Sequence, residues 1–225
     1  MIELDITRRA QEYLAALSSR GFDVIVPEDY ASIPSLVLQT GRARQNPMHA
    51  ISRNDFTKGD AFWLFLTQEG RMVGGAAACH YDLRGDDFDS FLRRTSAQQY
   101  GRADPIQHVA RPVLDRLHGQ LIYIGELQLH PDFRGKAPVL RAYAGMILAL
   151  AALKWPFDAI YAIIPKAHRR LIEVYGFNWW VDHAITWRGT PPPGRRNDHI
   201  LCGMTRVDFE HQWALPSIFA ENEQA

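Results

Sequence analysis

Apolar positions along the chain alternate between the helical and the extended period. Residues 5–19 put Ala10, Leu14 and Leu17 on one helical face, with Asp5 as the expected N-cap and Gly21 as the stop. Residues 22–26 are a short apolar run closed by Pro27 and read as a strand. Residues 61–67 and 72–81 are strongly apolar and flank the turn Gln68-Glu69-Gly70-Arg71, which predicts an antiparallel hairpin. Further strands are predicted over 121–129, 158–164, 179–187 and 199–207, the last two joined by a loop over 188–198 with Pro191-Pro192-Pro193-Gly194. Residues 138–153 predict a helix apolar on most sides, and therefore buried, with Pro138 suited to its first turn. A shorter helix over 166–175 is stopped by Gly176, and one or two short helices fall within 28–50.

Residues 82–119 break the pattern. They are polar and rich in Arg and Asp, with apolar clusters at Phe88, Phe91 and Leu92 and at Val109, Val113, Leu114 and Leu117. That is too long for a plain loop in a compact domain, so a helical insertion, a candidate lid, is expected. The element order predicts an α/β (α+β) architecture: one domain over 1–225, a mixed sheet with helices on its faces.

Composition changes this picture little. Lys plus Arg equals Asp plus Glu at 25 each, so no global charge draws the chain toward nucleic acid or a membrane surface. The cysteines, Cys79 and Cys202, sit in apolar strand-like runs without metal-ligand spacing and read as reduced, buried thiols; no metal is expected. The apolar run at 142–153 is too short to span a bilayer, and no basic region followed by an apolar stretch opens the chain. A cytoplasmic protein is the expectation.

The sharpest local pattern is Ile124-Gly125-Glu126-Leu127-Gln128-Leu129-His130-Pro131-Asp132-Phe133-Arg134-Gly135-Lys136, leading into the helix at Pro138. A strand, a basic glycine-containing loop and a helix N-terminus together point backbone N–H groups and positive charge at an anion, and a pyrophosphate would suit it. The same residues also suit an ordinary strand-to-helix connection. The stretch resembles the acyl-CoA-binding motif of the GNAT acyltransferases, in which an apolar-x-Pro strand end precedes Arg-Gly-x-Gly-x-Gly or Ala and a helix: Leu129, Pro131, Arg134, Gly135 and Lys136 match. Further on, residues 171–177 end in Tyr-Gly-Phe, similar to the second family motif, and the element order agrees from 61 to 207. Four positions depart from the family. Ala137 stands for the second glycine and Val139 for the third small residue, where its branched side chain would crowd a phosphate, while Pro138 lacks an N–H. Ile172 occupies the place of the tyrosine that commonly protonates the leaving thiolate; Tyr175 is one helical step away, where core packing is the other reading.

The resemblance implies a GNAT fold and N-acyl transfer from an acyl-CoA, acetyl-CoA first among them, to an amine of a small molecule or protein. It places the thioester's pantetheine along backbone groups of Leu127, Gln128 and Leu129, and its phosphates at Arg134, Gly135, Lys136, Ala137, Val139 and Leu140. The strand at 121–129 must then splay from that at 159–164. Glu126, an acid in an apolar strand, is the candidate base and Tyr175 the candidate acid; a salt-bridged or solvent-facing Glu126 is the alternative, with His130 and His168 as substitutes at the rim. The insertion and altered loop are also similar to acyl-homoserine-lactone and N-acyl amino acid synthases, which take acyl chains from acyl carrier protein. Arg134, Lys136, Arg141, Lys166, Arg169 and Arg170 would then face an acidic carrier. A third alternative is a GNAT-fold binding module without turnover, with Trp179, Trp180 and Trp187 lining its pocket. The acceptor has no signature; residues 28–58, the insertion and the 188–198 loop are expected to wall its site, with Arg42, Arg44 and Arg53 as candidate carboxylate partners. Dimerisation through the last strands is open.

Overall fold

The computed structural model describes residues 2–215. Helix α1 (Ile2–Ser18) leads into strand β1 (Asp23–Ile25) and helix α2 (Ile33–Gln39). Strands β2 (Ala61–Gln68) and β3 (Arg71–Asp82) form the hairpin. Helix α3 (Phe88–Tyr100), strand β4 (Ile106–Val109) and the single turn α4 (Arg111–Leu114) make up the insertion. Strand β5 (Gln120–Leu129), helix α5 (Ala137–Lys154) and strand β6 (Ala159–Ile164) follow, then β7 (Trp179–Val181), β8 (Ile185–Trp187), β9 (Ile200–Thr205) and helix α6 (Arg206–Ala214).

Seven strands form one mixed sheet in the order β1–β2–β3–β5–β6–β9–β7. Every neighbouring pair is antiparallel except β5 and β6. That parallel pair is what a crossover through α5 produces. Strand alternation sends Ile122 and Ile124 of β5 to one face, where α1, α5 and α6 pack, and Leu121 and Tyr123 to the other, where the insertion packs. The all-round apolar character of α5 is explained by its place between the sheet and α1: Tyr143 donates to the Leu64 carbonyl at 2.5 Å on the sheet side. On the α1 side Gly145 lets the Tyr13 ring approach the helix backbone, and a Cβ there would lie 2.4 Å from the ring.

Five expectations change. The helix expected over 166–175 is a short 3-10 stretch, Lys166–Leu171, followed by turns up to Gly176. The insertion is not wholly helical: β4 pairs with β8 in a separate two-stranded sheet, so residues 82–119 are pinned to the body rather than hinged as a lid. The expected strand over 179–187 is two strands in two sheets, β7 on β9 and β8 on β4, divided at His183, whose φ is +51°. Asp5 lies inside the first turn of α1 rather than capping it. Helix α6 continues beyond β9, where no helix is predicted. Its start is a capping box in which Thr205 and Asp208 satisfy each other's backbone N–H, a signal present as Thr-x-x-Asp but overlooked beneath the strand pattern. Both cysteines are buried free thiols.

Candidate active site

β5 and β6 pair only at Leu121–Ala159, Ile122–Ile160 and Tyr123–Tyr161. Beyond Tyr123 the two strands continue without pairing, and a slot opens between them. The cause lies on the opposite edge of β5. Against β3 the register steps from Ala77–Gly125 to Gly75–Gln128, so β5 carries one extra residue, a β-bulge at Glu126 and Leu127. Glu126 has φ +59°, a conformation in which a residue with a Cβ is strained. Gly125 is needed beside it because the His49 ring lies against its backbone, and an added Cβ would come within 2.6 Å of that ring.

The bulge turns the Glu126 carboxylate into the slot, where it is 6% exposed. It accepts a hydrogen bond of 2.5 Å from the backbone N–H of Asn46. Burial raises its pKa above the ordinary carboxylate value, against the pull of Arg42 and the Asn46 N–H. No cation lies within 4.0 Å of it among the described residues, so the salt-bridged alternative does not apply.

Two cavities meet at this point. One, of about 300 Å³, has Leu127, Gln128 and Leu129 along β5, Arg134, Gly135 and Lys136 at its head, Ala137 and Leu140 of α5 below, and His168, Leu171, Val174 and Tyr175 opposite. The His130 N–H donates to the Val73 carbonyl at 2.7 Å, so strand alternation leaves the backbone groups of Leu127 and Leu129 facing the slot. The first turn of α5 presents N–H groups without intrahelical acceptors at the same head. The second cavity, of about 260 Å³, is the slot itself. It is lined by Glu126, by apolar Ile124, Ala162, Ile164 and Phe177, and by polar Arg42, Asn46, Arg195 and His199. Leu127, Gln128, His168 and Tyr175 line both cavities. Tyr175 stands at their junction, with burial pushing its phenol up to about 12.

Of the candidate donor-site residues, Val139 alone does not line the first cavity. Its side chain is 3% exposed in the core under the sheet, so it does not crowd the loop; the helix phase turns it inward and leaves Ala137 and Leu140 at the cleft. Ile172, at the family's tyrosine position, is likewise in the core. His130 is drawn off the rim by Arg71 and Asp132. Arg53 donates to the Gln99 carbonyl at the end of α3 and does not line the slot. Arg42 and Arg44 stand at the slot's outer mouth with Gly194 and Arg195. Trp179, Trp180 and Trp187 do not converge: Trp187 is core, and Trp180 is a surface ring under Arg169. Sequence reasoning missed Asn46, Arg195 and His199. For Arg195 the rigid Pro191-Pro192-Pro193-Gly194 run immediately before it was a usable signal; Asn46 had none.

Among solved structures the chain is similar to FeeM, an N-acyl amino acid synthase from uncultured soil microbes, at 12% identity and TM-score 0.50, over 89% of this chain and 96% of that one. The fold is that of the GNAT acyltransferases. Arabidopsis thaliana NAA60 in complex with acetyl-CoA aligns at 11% identity and TM-score 0.46, over 83% of this chain and 98% of that one. Drosophila melanogaster polyamine N-acetyltransferase aligns at 13% and 0.45, over 81% and 100%. No family model matches the sequence, and no curated protein does. Within the GNAT fold, the splayed β5–β6 pair and the Arg134-Gly135-Lys136 loop lie at the same end of the sheet, and the two cavities run from one to the other.

Proposed function

We propose that the protein is an N-acyltransferase that moves an acyl group, acetyl first, from an acyl-CoA to an amine. The observation that carries this reading is the junction of the two cavities, where a thioester carbonyl reaching in from the Arg134–Lys136 side comes between Glu126 and Tyr175. Pantetheine amides pair with the slot-facing backbone groups of Leu127 and the N–H of Leu129, whose carbonyl already accepts from Arg134 Nε at 3.3 Å, and the phosphates meet Arg134, Lys136 and the start of α5.

The chemistry runs in one balanced sequence. Glu126 takes a proton from the acceptor ammonium, which frees the nitrogen lone pair. The nitrogen attacks the carbonyl carbon, and a slot-facing N–H of β5 stabilises the oxyanion. Collapse breaks the C–S bond and the thiolate receives the Tyr175 phenol proton; the nitrogen's second proton passes through solvent to the phenolate, Glu126 returns its own proton to solvent, and a neutral amide and a free thiol leave. The phenol has a proton to give at neutral pH, and burial, which pushes it up to about 12, keeps that proton in place well into the alkaline range. Calorimetric titration with acetyl-CoA, followed by thiol release with a panel of amines, tests the reading. Micromolar binding with acceptor-dependent thiol release supports it; binding without release leaves a ligand-binding module, and no binding removes the donor assignment.

A second reading keeps the chemistry and changes the donor to a longer acyl chain on acyl carrier protein. It is favoured by the basic rim beside the cleft, where Arg169 and Arg170 surround Trp180, 43% exposed, and where Arg170 has no carboxylate within 4.0 Å among the described residues. Rates with acetyl-CoA, a long-chain acyl-CoA and an acylated carrier separate the two.

A further inference from the structure

The acceptor end of the slot holds more positive charge than the fold requires. Arg195 is 9% exposed, yet no carboxylate lies within 4.0 Å of it among the described residues. Its loop neighbours differ: Arg196 pairs with Asp198 at 2.9 Å and Arg188 with Asp104 at 2.7 Å, both in water. Only neutral oxygens hold the buried guanidinium in place: the Tyr100 hydroxyl at 2.7 Å from Nε, Asn46 Oδ1 at 3.2 Å from Nη2, and the Tyr123 hydroxyl. A guanidinium has five N–H donors, and burying it without an anion is costly. Among the described residues Arg42 lines the same cavity, also without a carboxylate within 4.0 Å, and Glu126 is the only acid in the lining. The buried Nδ1 of His199, on the same wall, has no partner either.

The spacing narrows the ligand. Asn46 serves both ends, its backbone N–H on Glu126 and its side-chain oxygen on Arg195. The proton acceptor and the buried cation are therefore separated by the width of one residue. We infer that the acceptor is an amine bearing a carboxylate on the same or the adjacent carbon, an α- or β-amino acid, with its carboxylate on Arg195 and Arg42 and its nitrogen at Glu126. The planar fork of an arginine matches a carboxylate in two parallel hydrogen bonds. This assignment rests on the acyltransferase reading for the role of Glu126, but not for the anion anchor itself.

The test compares acetyl transfer to a set of α- and β-amino acids with transfer to the amines that lack the carboxylate, and to the aminoalkyl phosphonates that replace it. The carboxylated set is expected to be faster in kcat/KM by about 10- to 100-fold, the range of a charged hydrogen bond. Arg195→Lys and the half-buried Arg42→Gln each raise KM for the amino acid about 10-fold, and change KM for the plain amine by a clearly smaller factor. Arg42→Gln keeps the test informative where Arg195→Lys fails to fold. In parallel, N-acetyl amino acids and N-acetyl amines are titrated by calorimetry, with acetyl-CoA binding measured on the same preparations. Loss of acetyl-CoA binding with retained preference for the carboxylates defeats the transfer reading alone. Equal binding of the two N-acetyl sets, equal rates on the two acceptor sets, or preference for phosphonates overturns the assignment.

Discussion

The two cavities that meet at Tyr175 are built by opposite means. The donor cleft is local: one wall is a single run from Leu127 to Leu140, and its polar groups are largely backbone and solvent-facing charge. The slot gathers Arg42 and Asn46, Glu126, and Arg195 from three separated segments, and its charges are side chains largely held out of water. A local, backbone-built cleft tolerates substitutions in its loop, because the first turn of a helix supplies N–H groups whatever its side chains are, proline excepted. That is why Ala137 and Val139 in place of the family's small residues leave the cleft open, although Pro138 withdraws one N–H. A side-chain site has no such tolerance. Each member is fixed by another, as Asn46 fixes both Glu126 and Arg195, and a single change propagates.

The largest expected effect lies on the slot side. Glu126→Gln should lower kcat by about 10²- to 10⁴-fold with acetyl-CoA affinity unchanged. The sign of the pH dependence follows from burial. Only the deprotonated carboxylate accepts a proton, and its pKa is raised, so activity should fall as pH drops through a midpoint above the ordinary Glu value. In the Gln variant that limb should vanish; a limb that persists assigns the titration elsewhere. At the junction, Tyr175→Phe should cost about 100-fold in kcat with an amine acceptor, and less with an activated thioester whose thiol leaves unaided. An equal loss with both donors would make the phenol a packing group.

Gly125→Ala tests whether the bulge is built around His49. The added methyl meets a fully buried ring, so a stability loss of about 1–3 kcal/mol is expected in denaturant unfolding, with Glu126 displaced and kcat reduced together. Full activity in a folded Gly125→Ala protein would break the link between bulge and catalysis. The smallest effect belongs to the donor side. Arg134→Ala should weaken acetyl-CoA about 10-fold by calorimetry without changing kcat, since the remaining groups at the head of the cleft are backbone N–H and Lys136. A loss as large as that at Glu126 would end the contrast between the two cavities.

How far the chain could be read follows the same division. Strands β2, β3, β5, β6 and β9 and helix α5 were legible because each buries a continuous apolar run of its own. The insertion was legible as an interruption but not in kind. Strand β4 is only four residues, and its partner β8 lies far along the chain, so no local period announced the second sheet. The 179–187 segment misled for a related reason: apolar residues continue across a turn that sends them to different sheets. Among site residues, those in the strand-loop-helix motif were found from neighbouring positions. Val139 was misjudged because a one-residue change in helical phase decides whether a side chain faces ligand or core.

The sequence alone determined the hairpin, the buried central helix, the acid in an apolar strand and the basic loop ahead of the helix, because each is a statement about contiguous residues and their period. The tertiary structure alone decided that β5 leaves β6 after Tyr123, that a bulge with a left-handed Glu126 accompanies that departure, and that Arg195 comes to the far end of the slot through Asn46. Register, and the pairing of groups distant along the chain, are settled only when strands and loops compete for the same neighbours, and no run of residues carries that outcome in itself.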